Sequence, residues 1–200
     1  MANLSGVRKT VANRVTEPAV RLLARTSITP NAVTWSGFLL TIGAAALIIT
    51  EHLVAAGILV LIAGFLDILD GALARRTNQT TRFGAILDST LDRFSEAVLL
   101  FGILVLYARD QSFAQILLVG AALVGSLLVS YIRARAEALG VECEAGLFTR
   151  TERVIVLALG LLLSQVVDYA LLIALAIIVV FSFVTIVQRL IHIGQQTRIK

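Results

Sequence analysis

Two hundred residues fit a single domain, but 58% of them are apolar, 15% are charged, and the mean hydropathy is +0.92. Soluble globular chains run nearer half apolar and a quarter charged, so an ordinary soluble domain is excluded. Aromatics are 6%, which makes the excess Leu, Ile, Val and Ala, and the net charge of +4 is spread through loops rather than gathered into a nucleic-acid patch.

Residues 1–30 read as an element of their own. Val7, Val11, Val15, Leu22 and Leu23 recur at near-helical spacing with Arg and Lys between them. That pattern suits an amphipathic helix lying in the headgroup plane, with Pro18 expected to kink or break it. A compact apolar stretch with a small-residue cleavage site is missing, so the segment does not read as a cleaved signal peptide. Thr29-Pro30-Asn31 then reads as a helix start, with Thr29 as cap and Pro30 in the first helical position.

From residue 31 to 200 the chain reads as one all-α, six-helix transmembrane domain. A span needs about twenty mostly apolar residues. Six stretches meet that requirement: Val33–Thr50, Leu53–Leu73, Gly84–Leu106, Ala114–Ile132, Val154–Val167 and Tyr169–Leu190. The fifth is short, and its start is expected nearer Thr151. Basic residues crowd the loops on one side: Arg8, Lys9, Arg14, Arg21 and Arg25 before the first span, then Arg75, Arg76 and Arg82, then Arg133, Arg135, Arg150 and Arg153, and finally Arg198 and Lys200. The other side holds Glu51, His52, Arg109, Asp110 and Asp168. Retention of positive loops in the cytosol predicts a multi-pass protein of the cell membrane with both termini cytoplasmic.

The second span breaks its own pattern. It is nearly all apolar to Leu66 and then carries Asp67 and Asp70, followed by Gly71, Ala74 and Arg75. An Asp near the centre of a spanning helix costs roughly 2.5–3.5 kcal/mol on insertion scales, and two of them a turn apart also repel. Asp67, Asp70, Gly71 and Ala74 share one helical face, as do Gly84, Asp88 and Asp92 on the third span. Antiparallel spans bring the four carboxylates to similar depth near the cytoplasmic side. Four negative charges in a low-dielectric pocket need a neutralising cation, and carboxylate oxygens suit Mg²⁺ or Mn²⁺. Asp67, Asp70, Asp88 and Asp92 are therefore the expected metal ligands, for one or two ions. Gly71 and Gly84 leave room for a bulky polar ligand.

Asp67-x2-Asp70-Gly71-x2-Ala74-Arg75, eight residues, then Gly84-x3-Asp88-x3-Asp92 meets every fixed position of the signature D-x2-D-G-x2-A-R, G-x3-D-x3-D. On those residues the chain resembles the CDP-alcohol phosphotransferases, membrane enzymes with six spanning helices. The resemblance implies that the aspartates hold the metals, that Asp92 is the general base, and that Gly71, Ala74, Arg75 and Gly84 line the CDP site. Asn31 and Thr34 are expected at the nucleotide as well, although the subfamily that the chain most resembles often has Asp where Asn31 stands. It further implies CDP-diacylglycerol as donor, with the acceptor hydroxyl attacking the lipid-side phosphorus as CMP leaves.

The acceptor is read from the basic residues outside the motif. Arg133 and Arg189 lie at span ends expected to converge on one cytoplasmic mouth, where guanidinium groups could grip a phosphate in two-point fashion. The stretch from Ser130 to Arg153, with Gln188-Arg189-Leu190, resembles bacterial phosphatidylinositol phosphate synthases. That resemblance makes inositol 1-phosphate the acceptor and sets Arg133, Arg135, Arg153 and Arg189 at its phosphate. Glycerol 3-phosphate, giving phosphatidylglycerol phosphate, is the nearest alternative, and an archaeal-type donor lipid is another. A cation-coupled transporter would also carry buried aspartates, but no internal repeat is present. A homodimer is expected by the same resemblance, and the small residues Gly120–Ala122, Gly125 and Ser126 offer a helix interface. Cys143 is the only cysteine, so it is expected to be a passive thiol in a cytosolic loop, with no disulfide within the chain and no Cys-based metal site.

Overall fold

A computed structural model describes residues 17–143 and 145–198, and the regular secondary structure among the described residues is helix. After a helical stretch over residues 17–23 come α1 (Pro30–Ile49), α2 (Leu53–Arg76), α3 (Arg82–Arg109), α4 (Phe113–Ala138), α5 (Arg150–Leu163) and α6 (Ala170–Arg198). The helix start at Thr29 is as expected: its hydroxyl accepts from the Ala32 amide at 3.3 Å and Pro30 occupies the first helical position. Val7, Val11 and Val15 of the expected interfacial helix lie outside the described residues. Of its remaining members, Leu22 is exposed, whereas Val20 is buried with Val33 of α1 and Leu69 and Leu73 of α2.

Four helices, α1, α2, α4 and α6, are long and apolar enough to cross a membrane. The other two expected spans exist as helices of a different character. α3 is long but carries Asp88, Asp92, Arg93 and Glu96 along its length. α5 has 14 residues, which at the helical rise is about 21 Å, short of a hydrocarbon layer of about 30 Å. It starts at Arg150 and ends at Leu163, four residues before the expected end at Val167. α4 and α6 run past their expected ends, so Arg133 and Arg135 stand on a helix rather than in a loop, while Arg189 lies on α6 as expected. Helix continues into these polar turns because its backbone bonds are satisfied internally whatever the side chains do.

The helices close into a ring, with α1 packed on α2, α2 on α5, α5 on α6, α6 on α4, α4 on α3 and α3 back on α1. Small residues make the crossings tight, as expected where helix backbones approach closely. A Cβ on Gly102 of α3 would come within 3.1 Å of the Ala45 carbonyl of α1, and one on Gly160 of α5 within 2.5 Å of the Ala174 Cβ of α6. Ala122, Gly125 and Ser126 are buried, and Gly125 meets Ser182 of α6, so this part of the small-residue run is used inside the protomer. Gly120 faces open space.

One consequence corrects a simple expectation. α2 and α3 are consecutive and were expected to pack as a hairpin, yet they are not among the pairs that pack along their length. α1 lies against both, and a cleft opens between them. Cleavage of direct α2–α3 packing is what leaves volume for a polar ligand between two otherwise apolar helices.

Candidate functional site

The cleft takes its walls from four helices. Thr34, Gly37 and Thr41 come from α1, Asp67 and Asp70 from α2, Asp92, Ser95 and Glu96 from α3, and Arg150 from α5. An outer cavity adjoins it, lined by Asn31 and Thr34 of α1, Gly71, Ala74 and Arg75 of α2, and Thr81, Gly84 and Asp88 at the start of α3. All six residues expected at the nucleotide therefore line one cavity, which shares Thr34 and Asp70 with the inner cleft.

Local sequence explains this placement. Thr81 caps α3 by accepting from the Gly84 amide at 2.9 Å, which sets where the helix begins and so where Asp88 and Asp92 point. A Cβ at position 84 would lie 3.0 Å from the Thr81 Oγ1 and 3.3 Å from the Asn31 Oδ1. Gly84 thus lets the α1 and α3 termini approach while leaving the cavity between them open. Across the partition, the Thr34 hydroxyl donates to Asp70 Oδ2 at 2.6 Å and the Gly71 amide to its Oδ1 at 2.5 Å. Asp70, 4% exposed, is held in one orientation by both bonds.

Three aspartates meet as a ligand set. Carboxylate oxygens of Asp67, Asp70 and Asp88 lie within 4.8 Å of one another. All-oxygen donors at that separation fit a hard divalent cation with water or phosphate oxygens completing its shell. Asp92 is not one of this trio but adjoins it at Asp67, and its Oδ1 accepts from Arg150 Nη1 at 2.6 Å. The same nitrogen reaches Asp67 Oδ2 at 2.9 Å.

Arg150 had no expected role at the aspartates, and it is the principal residue that sequence reasoning missed. A signal for its position was present. Thr149-x2-Glu152 is a capping box, with the Thr149 amide donating to Glu152 at 2.8 Å, so Arg150 is the first residue of α5. Its partner 83 residues away in sequence was not legible. Glu96 was missed as well. It lies one turn beyond Asp92, is buried, and accepts from Arg153 Nε at 2.5 Å and Nη2 at 2.7 Å.

The arginines expected to form one basic mouth divide into two kinds. Arg133 and Arg135 are exposed near the end of α4, and Arg133 pairs with Glu137 at 2.8 Å. Arg153 is 1% exposed and committed to Glu96, with its Nη1 buried and unpaired. Arg189 is 3% exposed and staples the α4–α5 loop to α6: its Nε donates to the Ala145 carbonyl at 2.9 Å and its Nη1 to Val129. Gly146, at φ +129°, permits that approach, since a Cβ there would meet Thr185 at 2.8 Å. Arg133, Arg153 and Glu137 lie within electrostatic reach of Arg189, so the group is one neighbourhood although its members are engaged differently. Cys143 in the same loop is buried and free.

The sequence model for CDP-alcohol phosphatidyltransferases matches residues 27–187. The chain is 35% identical over 175 residues to an archaetidylinositol phosphate synthase of Methanothermobacter thermautotrophicus, covering 87% of each protein. It is 38% identical over 189 residues to a phosphatidylinositol phosphate synthase of Corynebacterium glutamicum, covering 92% of this chain and 86% of that one. The crystal structure of the Mycobacterium tuberculosis phosphatidylinositol phosphate synthase with CDP-DAG bound superposes with a TM-score of 0.83 at 35% identity, over 90% of this chain and 94% of that chain. The same enzyme in complex with manganese and citrate gives a TM-score of 0.82 at 35% identity, over 90% and 88%.

Proposed function

The chain belongs to the CDP-alcohol phosphatidyltransferase family, and from that premise we propose that it transfers the phosphatidyl group of CDP-diacylglycerol to inositol 1-phosphate, forming phosphatidylinositol phosphate and releasing CMP. The observation that carries this reading is the junction of two cavities at Thr34 and Asp70, one with the six nucleotide-site residues and the other with the acidic cluster. The named relatives on which the acceptor rests share the words inositol phosphate synthase and differ in the lipid. That supports inositol phosphate over glycerol 3-phosphate and leaves the archaeal-type donor as a second reading.

In this reading Asp67, Asp70 and Asp88 hold Mg²⁺ or Mn²⁺, with Asp92 at the border of the set. The bound ion offsets the charge that builds on the diphosphate as the phosphoanhydride breaks. Asn31, Thr34, Gly71, Ala74, Arg75 and Gly84 receive the cytidine diphosphate, with the two glycines allowing close approach to backbone. Asp92 takes the proton of the acceptor hydroxyl, whose oxygen bonds to the lipid-side phosphorus while the bond to CMP breaks. Arg133, whose salt-bridge partner among the described residues is the exposed Glu137, and Arg135, also exposed on α4, are the acceptor-phosphate contacts within reach of a ligand; Arg153 and Arg189 support that site from buried positions. Diacylglycerol tails remain in the bilayer, which accounts for a polar cleft among apolar helices.

The membrane arrangement belongs to the same reading. All six helices span, α5 within the shelter of α2 and α6, in the cell membrane. Both termini and the cleft mouth face the cytoplasm, residues 1–30 lie along the headgroups ahead of a domain over 31–200, and two copies form a homodimer.

The test is CMP release by the purified full chain from CDP-diacylglycerol, with inositol 1-phosphate or glycerol 3-phosphate, with and without Mg²⁺. Release only with Mg²⁺ and inositol 1-phosphate is expected. Release with glycerol 3-phosphate alone would overturn the acceptor. Absence of release with either acceptor, together with ion flux in vesicles, would replace the enzyme by a transporter.

A further inference from the structure

We propose that Arg150 is the resident counter-cation of the acidic cluster, neutralising Asp67 and Asp92 when no divalent ion is bound and exchanged out of that position when one binds. The proposal rests on the reading of the aspartates as metal ligands and adds an exchange to it. Its first support is geometric. A single nitrogen, Arg150 Nη1, lies 2.9 Å from Asp67 and 2.6 Å from Asp92, so it joins an expected ligand of the ion to the expected base.

A second support comes from how the guanidinium is used. Arg150 Nε is buried with no hydrogen-bond partner. An arginine placed for permanent structural use presents its planar fork in two parallel bonds, as Arg153 does to Glu96. Arg150 instead crowds two carboxylates onto one nitrogen; each arginine keeps one buried nitrogen without a partner, so the shared nitrogen is what sets Arg150 apart. Its position on the backbone points the same way. As the first residue of α5 it sits at the positive end of a helix, where a cation is disfavoured unless anions face it. Asp67 and Asp92 are those anions.

A divalent ion and Arg150 cannot both neutralise Asp67 fully. When the ion takes Asp67, the pair on that side weakens, and Arg150 is left with a free fork at the edge of the cleft. Released there, it can bind an anionic oxygen of the substrate, and Asp92 is relieved of a partner that competes with its proton transfer. Arg150 is thus a positioning residue for the acidic cluster, with the ion as its competitor.

The experiment measures Mn²⁺ alone, without substrate, on the full chain in detergent, by the electron paramagnetic resonance signal of free Mn²⁺. Exchange predicts that Arg150→Gln binds Mn²⁺ more tightly than wild type by at least about fivefold, the lower end of typical coupling between two sites. Arg150→Lys keeps the charge and should stay near wild type. Thermal unfolding supplies an independent readout: added Mn²⁺ should raise the Tm of Arg150→Gln more than that of wild type. Unchanged or weaker Mn²⁺ binding in Arg150→Gln would overturn the proposal, as would equal tightening in Arg150→Lys. Asp67→Asn and Asp88→Asn separate the two levels. If neither lowers Mn²⁺ binding, the metal reading and this proposal fail together; if both do while Arg150→Gln does not tighten, only the exchange fails.

Discussion

The acidic cleft and the arginine neighbourhood beside it handle buried charge in opposite ways. In the cleft, three carboxylates converge within 4.8 Å, and the cation that faces two of the aspartates does so through one nitrogen. Around α4, α5 and α6, Arg153 and Arg189 are as buried as any core residue and are spent on Glu96 and backbone carbonyls. In the cleft one guanidinium nitrogen is shared between two carboxylates, whereas Arg153 presents two nitrogens to a single carboxylate and keeps its third buried without a partner. The geometry of the pairing, rather than burial, separates the two regions.

That contrast can be broken at four points. The largest effect is expected at Asp92→Asn, which removes the proton acceptor and should lower kcat by about 10²–10⁴-fold with little change in CDP binding. A variant with normal turnover, measured by CMP release, would take the base role away from Asp92. Next comes Arg153→Ala, which leaves Glu96 buried without its partner. The expected loss is about 3–5 kcal/mol of stability, read as a lowered unfolding midpoint; a raised acceptor KM with unchanged stability would move Arg153 from architecture to the ligand.

Smaller effects sharpen the same comparison. Gly84→Ala pushes a methyl against Thr81 and Asn31 and should cost about 1–3 kcal/mol as overpacking, appearing as a raised KM for CDP-diacylglycerol with the acceptor KM unmoved. Equal KM increases for both substrates would place the damage in the fold. Arg133→Ala removes an exposed pair with Glu137 and should change stability by no more than about 0.5 kcal/mol. A raised acceptor KM in that stable variant is the outcome expected of a contact residue, and an unchanged KM would leave Arg133 as a surface charge.

Much of the helix inventory was legible because it depends on local pattern. Apolar runs placed all six helices, Thr29-Pro30 marked the start of α1, and motif spacing set Asp67 with Asp70 and Asp88 with Asp92 on shared faces. Helix ends were less legible at α4 and α6, where the polar turns with Arg133 and Arg135 on α4 and those after Leu190 on α6 continue helically without an apolar signal. Arg150 shows the same limit from the other direction. Its capping box predicts where it begins a helix, but its pairing with residues of α2 and α3 depends on α5 packing against α2.

By itself the sequence determined the membrane class, the helical elements and the acidic faces, since each follows from side-chain type and helical period within a short window. Tertiary structure alone decided that α2 and α3 do not pack along their length, that Thr34 joins two cavities through Asp70, and which arginines are buried and which exposed. Those outcomes depend on which helices touch and which partner lies nearest a charge. Both are properties of residues distant along the chain, and a local pattern carries no record of them.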